Sequence, residues 1–306
     1  MSVTARAHLT PGLDRDLVDA LRWTGGLGEC CRHLGLRCVA FSDRHITCTR
    51  TYRTIENGIA KLSGAADLGR TGGSGQFRWQ GEVPAIEDQK NDLERFFWAH
   101  DGPVVHKWLH YFEIYDRHFA RFRNTPVRFL EIGVSKGGSL DMWRSYFGED
   151  AVIFGIDIDP ACAAFDGLSG SVRIGSQADA GFVTSVVEEM GGVDIVLDDG
   201  SHDSLHIRAS LDALFPKLSD GGVYMVEDLQ AAYWPGFTGG YRRPASFMSV
   251  VKTLIDDLHH WYHPKGQRIA ATANALDSIH VYDSITVLEK RRQKPPENAQ
   301  RGAGRR

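Results

Sequence analysis

The sequence predicts an α/β fold: a mostly parallel, doubly wound sheet with helices on both faces, preceded by a small N-terminal α+β region. Three observations predict it. From Val127 onward, short apolar runs alternate with helical patterns, the order that builds a parallel sheet. The first run, Val127 to Ile132, breaks at Gly133, Gly137 and Gly138 into a helical stretch carrying Leu140, Trp143 and Phe147. Two later runs end in acid, at Asp198-Asp199 and at Glu227-Asp228.

Composition bounds the rest. The chain has 306 residues, 42% of them hydrophobic, enough for one large domain and a smaller one. The organisation expected is an auxiliary region and linker over 1–80, a main domain over 81–289 and a disordered basic tail over 290–306. A net charge of −4 gives no general attraction to nucleic acid. The apolar runs are too short for a membrane span, and residues 1–12 lack a signal-peptide core, so no membrane partner and a cytoplasmic location are expected.

Residues 12–64 read as a helix from Leu13 to Trp23, strands at Arg37–Phe41 and Ile46–Tyr52 around Ser42-Asp43-Arg44, and a second helix from Thr54 to Leu62. A substrate lid or a contact within a homo-oligomer is the expectation for this region. Cys30, Cys31, Cys38 and Cys48 cluster with His33 and His45. A zinc site is conceivable, but there is no C-x-x-C pair, and buried thiols are the simpler reading. Residues 63–80 are rich in Gly and Ser and read as a linker.

Residues 86–100 and 107–119 read as helices. The second is crowded with aromatics, and Trp108, Phe112 and Tyr115 suit either a core stripe or a cofactor wall. Lys107, His110 and Tyr111 are its candidates for polar contacts. The strands expected from Val127 onward are 127–132, 151–157, 171–174, 193–198, 222–227, 267–273 and 278–288.

The turn after the first strand reads E-I-G-V-S-K-G-G. Its glycines let backbone approach a ligand, and the following helix aims its free N–H groups there. The spacing is not the G-x-G-x-x-G of dinucleotide sites, and Glu131 before the first glycine suits a cationic amino group instead. In this the chain resembles the class I S-adenosylmethionine-dependent methyltransferases, whose first motif is E/D-x-G-x-x-x-G. The resemblance implies a Rossmann-like seven-stranded sheet and binding of S-adenosyl-L-methionine by Glu131, Gly133 and Ser139 and by the helix with Lys107, His110 and Tyr111. Asp157, at the tip of the second strand, is placed to accept from both ribose hydroxyls, with Asp159 as the second choice or a helix cap. In that family the loop after the third strand meets the adenine, which implies Gln177 and Asp179 there; Asp179 equally suits a helix cap, and the two roles can coexist. Asp198 completes the cofactor set.

Asp199, Glu227 and Asp228 would converge at the carboxyl edge of the sheet, where like charges repel unless a cation compensates. A hard ion with oxygen ligands, Mg²⁺, answers that need. His202, three residues past Asp199, is placed to take a proton from a bound hydroxyl, or to cap the next helix; His206 lies one turn on. The L-D-D-G-S-H and V-E-D-L stretches resemble the metal-dependent sugar O-methyltransferases of macrolide biosynthesis, of the mycinamicin and tylosin type. That resemblance covers about 105–288. It implies Asp199, Glu227 and Asp228 as Mg²⁺ ligands, His202 as general base, and a small-molecule acceptor, a sugar hydroxyl on a glycosylated metabolite. A catechol-like diol, or a cofactor-binding scaffold without turnover, would use the same fold. Tyr233, Trp234 and Tyr241, in the loop over 231–245, offer flat faces to such an acceptor.

Overall fold

A computed structural model of the chain describes residues 38–42 and 45–48 by their backbone and residues 79–302 in full. The chain divides into two compact units, Met1–Arg78 and Trp79–Arg306. In the first, β1 (Cys38–Ser42) and β2 (His45–Cys48) pair antiparallel, with Cys38 opposite Cys48. The helices expected at 13–23 and 54–62, the linker, and Cys30, Cys31 and His33 lie outside the described residues.

The second unit opens with two helices, α1 (Asp92–Ala99) and α2 (Tyr111–Phe119). Asn91 starts α1 by accepting from the Glu94 N–H at 3.0 Å. Strands and helices then alternate: β3 (Arg128–Ile132), α3 (Gly138–Phe147), β4 (Val152–Asp157), β5 (Ser171–Ile174), α4 (Ala180–Glu189), β6 (Val193–Asp198), α5 (Ser204–Leu214) and β7 (Leu218–Val226). The chain closes with α6 (Phe247–Leu258), β8 (Leu276–Val281) and β9 (Thr286–Lys290). The seven strands β3 to β9 form one sheet in the order β5-β4-β3-β6-β7-β9-β8. All pairings are parallel except those of β9, which runs antiparallel to both β7 and β8.

Alternation along the strands feeds two cores. Leu130, Ile132 and Val196 point to one side, against α4, α5 and α6. Phe129, Ile195 and Leu197 point to the other, where α2 and α3 supply Phe112, Tyr115, Phe119, Trp143 and Phe147, all buried. Phe112 and Tyr115 are thus core residues. No helix among the described residues is long and apolar enough to cross a membrane.

The last two strands differ from expectation. Residues 267–273 are not a strand. The N–H groups of Arg268 and Ile269 donate to the buried Asp257 carboxylate at 2.8 and 2.7 Å, and Ala270–Thr272 form a 3-10 turn. Those backbone donors are satisfied by α6, so none remains for a strand partner. The run read as one strand over 278–288 is most of a hairpin: the end of β8, a turn with Ser284 left-handed at φ 63°, and the start of β9. The sheet still counts seven strands because β8 starts at Leu276. Beyond it, Arg291 and Gln293 donate backbone bonds to Ala275 and Asn274 at 2.9 and 2.8 Å, so the start of the expected tail is tied to the sheet.

At the amino edge Arg128 holds β3 to β6. Its Nε and Nη2 meet the two Asp194 carboxylate oxygens at 2.9 and 2.7 Å. Burial opposes the charge, but the Arg128 hydrogen bonds win and keep the Asp194 carboxyl below the usual range. A depressed carboxylate stabilises the fold above its unfolded pKa and loses that contribution as pH falls through the folded value. Asp194→Asn is therefore expected to cost about 1–3 kcal/mol near neutrality. Urea unfolding of both proteins should show the gap closing below about pH 4.

Candidate active site

The sheet reverses its winding between β3 and β6, and the crevice outside their carboxyl ends is the place where open α/β sheets bind ligands. A cavity of 460 Å³ occupies it, lined by the turns after β3, β4, β5 and β6, by Asp228 and by residues 104–107. Gly133, at φ +100°, makes this possible: a Cβ there would stand 2.2 Å from the Asp199 carbonyl oxygen. Three non-glycine residues on the wall are also left-handed, Ser135, His202 and Asp228, at φ 51°, 57° and 55°. Each such residue costs on the order of 1–3 kcal/mol, and such strain clusters where side chains must be aimed at a ligand.

One end of the cavity is built by β4. The Asp157 carboxylate accepts from the Ser135 N–H and the Asp159 N–H, both at 2.9 Å, which fixes its orientation toward the opening. Asp159 caps the turn after it through the Ala161 N–H. Gln177 lines the same cavity; its Oε1 accepts from the Ser201 N–H at 2.7 Å and its Nε2 donates to Asp198 at 3.0 Å.

The other end is built by the tips of β6 and β7. Asp199, His202 and Asp228 each offer a ligand atom within 4.8 Å of the others'. The His202 Nε2 stands 3.8 Å from an Asp228 oxygen. Between Asp199 and Glu227 sits the ammonium of Lys107, 2.5 Å from Asp199 Oδ2 and 2.6 Å from Glu227 Oε1. The Lys107 and Glu227 side chains are each only 2% exposed. Helix α2 adds two phenols: Tyr115 donates to Glu227 Oε2, and Tyr111 donates to Asp228 Oδ1 at 2.8 Å.

Charge balance follows from this packing. Burial pushes the Asp199 carboxyl up to about 6, against the opposing pull of Lys107. Burial, and then the Asp199 charge, hold Glu227 well above the carboxylate range. Burial alone would depress Lys107, but Asp199 and Glu227 more than offset it, and the ammonium persists. Burial and the neighbouring carboxylates raise both phenols, so Tyr111 and Tyr115 act as donors. The cluster therefore holds several carboxylates with one internal cation.

The residues chosen from sequence divide into two groups. Lys107, Gly133, Ser139, Asp157, Gln177, Asp199, His202 and Asp228 line the cavity. Glu131 does not: it is fully buried, accepting from Ser139 Oγ at 2.7 Å and Trp143 Nε1 at 3.0 Å, on the core side of its strand. Asp198 faces the opposite core, held by Ser210, Tyr224 and Gln177. Asp179 is exposed and caps α4 through the Phe182 N–H. His110 lies off the cavity, near the Asp283 carbonyl at 3.3 Å. Tyr111 serves Asp228, and Lys107 serves the carboxylates. Glu227 stands against Asp199, with its two oxygens taken by Lys107 and Tyr115. In the loop over 231–245 it is Phe237 that approaches His202, with ring centroids 6.3 Å apart. Thr238 Oγ1 in that loop donates to Asp203 at 2.6 Å.

Sheet order, glycine turn and cavity together define the class I methyltransferase fold. Among proteins of that fold the chain is similar to sugar O-methyltransferases of antibiotic biosynthesis. It is 39% identical over 222 residues to an 8-demethyl-8-(2-methoxy-alpha-L-rhamnosyl)-tetracenomycin-C 3'-O-methyltransferase of Streptomyces olivaceus, covering 69% of this chain and 56% of that one. It is 40% identical to the demethylmacrocin O-methyltransferase of Streptomyces fradiae, over 60% of this chain and 50% of the relative. The solved MycE methyltransferase of the mycinamycin biosynthetic pathway, in complex with Mg and SAH, aligns with a TM-score of 0.58 at 36% identity, over 66% of this chain and 54% of its own. The chain thus spans about half the length of the curated relatives it matches. No family model matches it.

Proposed function

We propose that the protein is an S-adenosylmethionine- and Mg²⁺-dependent O-methyltransferase acting on a sugar hydroxyl of a glycosylated secondary metabolite. One observation carries this reading: a single cavity joins Asp157 at one end to the Asp199–His202–Asp228 group at the other. Donor and acceptor sites thereby share one enclosure, as in-line transfer requires. MycE, to which the chain is similar, is solved with Mg, SAH and mycinamycin VI.

In this reading Asp157 accepts from the ribose hydroxyls and the Gly133 turn admits the rest of the cofactor. The donor chemistry at the far end fits a hard divalent ion. Two carboxylates, Asp199 and Asp228, converge with an imidazole beside them, and Glu227 stands adjacent. Asp199 and Asp228 would hold Mg²⁺, with Glu227 reaching it on turning from Lys107; the bound ion supplies positive charge that lowers the cost of an alkoxide. His202 would take the hydroxyl proton, and the bound cofactor would supply its sulfonium methyl to the oxygen, the O–C bond forming as the C–S bond breaks. Phe237 and the loop around it wall the acceptor. The N-terminal unit, as a lid or a contact in a homo-oligomer, and a cytoplasmic location belong to the same reading.

Mass spectrometry tests it after incubation with methyl-labelled cofactor, Mg²⁺ and a panel of glycosylated metabolites. Labelled product only from catechols would move the acceptor class; no labelled product from any acceptor, with the cofactor demonstrably bound, would leave a scaffold. The cofactor end has its own test. Asp157→Ala is expected to weaken S-adenosylhomocysteine binding by about 10–100-fold in calorimetry, the loss of one or two hydrogen bonds to a charged acceptor. Equal affinity for wild type and variant removes Asp157 from the site.

A further inference from the structure

Lys107 has a consequence beyond the methyl transfer itself. Its ammonium occupies the bay between Asp199 and Glu227, at 2.5 and 2.6 Å from their oxygens, and lies 5.9 Å from the centroid of the Tyr115 ring. The Lys107 side chain is 2% exposed, and the Asp199 side chain, 19% exposed, faces the cavity. Buried Glu227 and half-buried Asp199 stand side by side, and whatever negative charge the pair carries is relieved by a cation between them. In this chain the relieving cation is a covalent part of the protein.

Resting on the Mg²⁺ reading above, we propose that Lys107 is a built-in counter-ion that a divalent cation must compete with for Asp199 and Glu227. The ammonium holds the cluster assembled before the metal arrives, and it sets the metal affinity. A divalent ion that takes Asp199 would share it with the ammonium, and like charges that share one carboxylate repel. Binding of the ion would therefore draw Asp199 away from Lys107 or displace the ammonium, and would free the Glu227 oxygen that Lys107 now holds. Lys107 is a positioning residue: it acts through the carboxylates.

The test compares Mg²⁺ binding by full-length wild type, Lys107→Gln and Lys107→Arg, by calorimetry and by the Mg²⁺ dependence of melting temperature. Lys107→Gln is expected to melt lower than wild type without metal, and to bind Mg²⁺ about tenfold or more tightly because the competing charge is gone. Lys107→Arg keeps a cation and should bind near the wild-type affinity. A purely structural lysine would lower the melting temperature and leave the Mg²⁺ affinity level or weaker, which overturns the proposal. Should Lys107→Gln fail to fold without metal, Lys107→Met combined with Glu227→Gln removes opposite charges together. That pair should bind Mg²⁺ more tightly than Glu227→Gln alone, and equal or weaker binding again sinks the idea. The failures are separable. A wild type that binds Mg²⁺ with no gain in Lys107→Gln defeats only the competition. Mg²⁺ uptake by Lys107→Gln and not by wild type supports it, and no uptake by either defeats the metal reading with it.

Discussion

Asp199→Asn is expected to abolish methyl transfer, lowering the rate by roughly 10³-fold or more, the several kcal/mol that a bound divalent ion contributes. Asp199 stands at the centre of the cluster, the one carboxylate within reach of both Lys107 and the Asp228–His202 pair. Asparagine keeps the shape but loses the charge, so the fold should survive while Mg²⁺ no longer raises the melting temperature. Asp228→Asn should behave alike, with the Tyr111 hydrogen bond weakened as well. S-adenosylhomocysteine affinity should stay within a few-fold of wild type in both, since Asp157 lies at the other end of the cavity. Methyl transfer that continues in EDTA, or an Asp199→Asn enzyme of near-normal rate, would remove the metal from the account.

The sheet was legible because its strands are buried on both faces and read as plain apolar runs. β3, β4, β5 and β6 fall within a residue of expectation. The failure at 267–273 has a local cause: the apolar run there packs by Ile269 and Thr272, but its backbone donors are captured by Asp257, which sequence spacing does not reveal. Where one strand tip carries one carboxylate, as at Asp157, its position in the sequence already puts it on the cavity wall. The site was not legible where polar groups answer one another across the fold. Glu131 and Asp198 point into opposite cores because successive residues along a strand face opposite sides and Asp198 is in register with Ile132, one past Glu131; a buried carboxylate with two or three donors is satisfied without any ligand. Lys107, expected at the cofactor, lines the cavity and also sets its ammonium against carboxylates 92 and 120 residues away. A signal for this was present. Lys107, Tyr111 and Tyr115 recur every four residues, one polar tip per turn leading into and along α2, and all three reach the tips of β6 and β7.

Removing the imidazole should separate its role from that of the carboxylates. His202 is left-handed, at φ 57°, so alanine would add backbone strain to the loss of the ring; asparagine tolerates that conformation. His202→Asn is expected to keep the melting temperature, the cofactor affinity and the Mg²⁺ stabilisation, yet lose about 10²–10⁴-fold in rate, the usual contribution of a general base. The geometry also permits another outcome, since the His202 Nε2 stands 3.8 Å from Asp228 within the same group of ligand atoms. Loss of Mg²⁺ stabilisation together with rate would make His202 a ligand. A near-normal rate would move the base to His206, whose Nδ1 lies 2.9 Å from Ser201 Oγ on the same wall of the cavity.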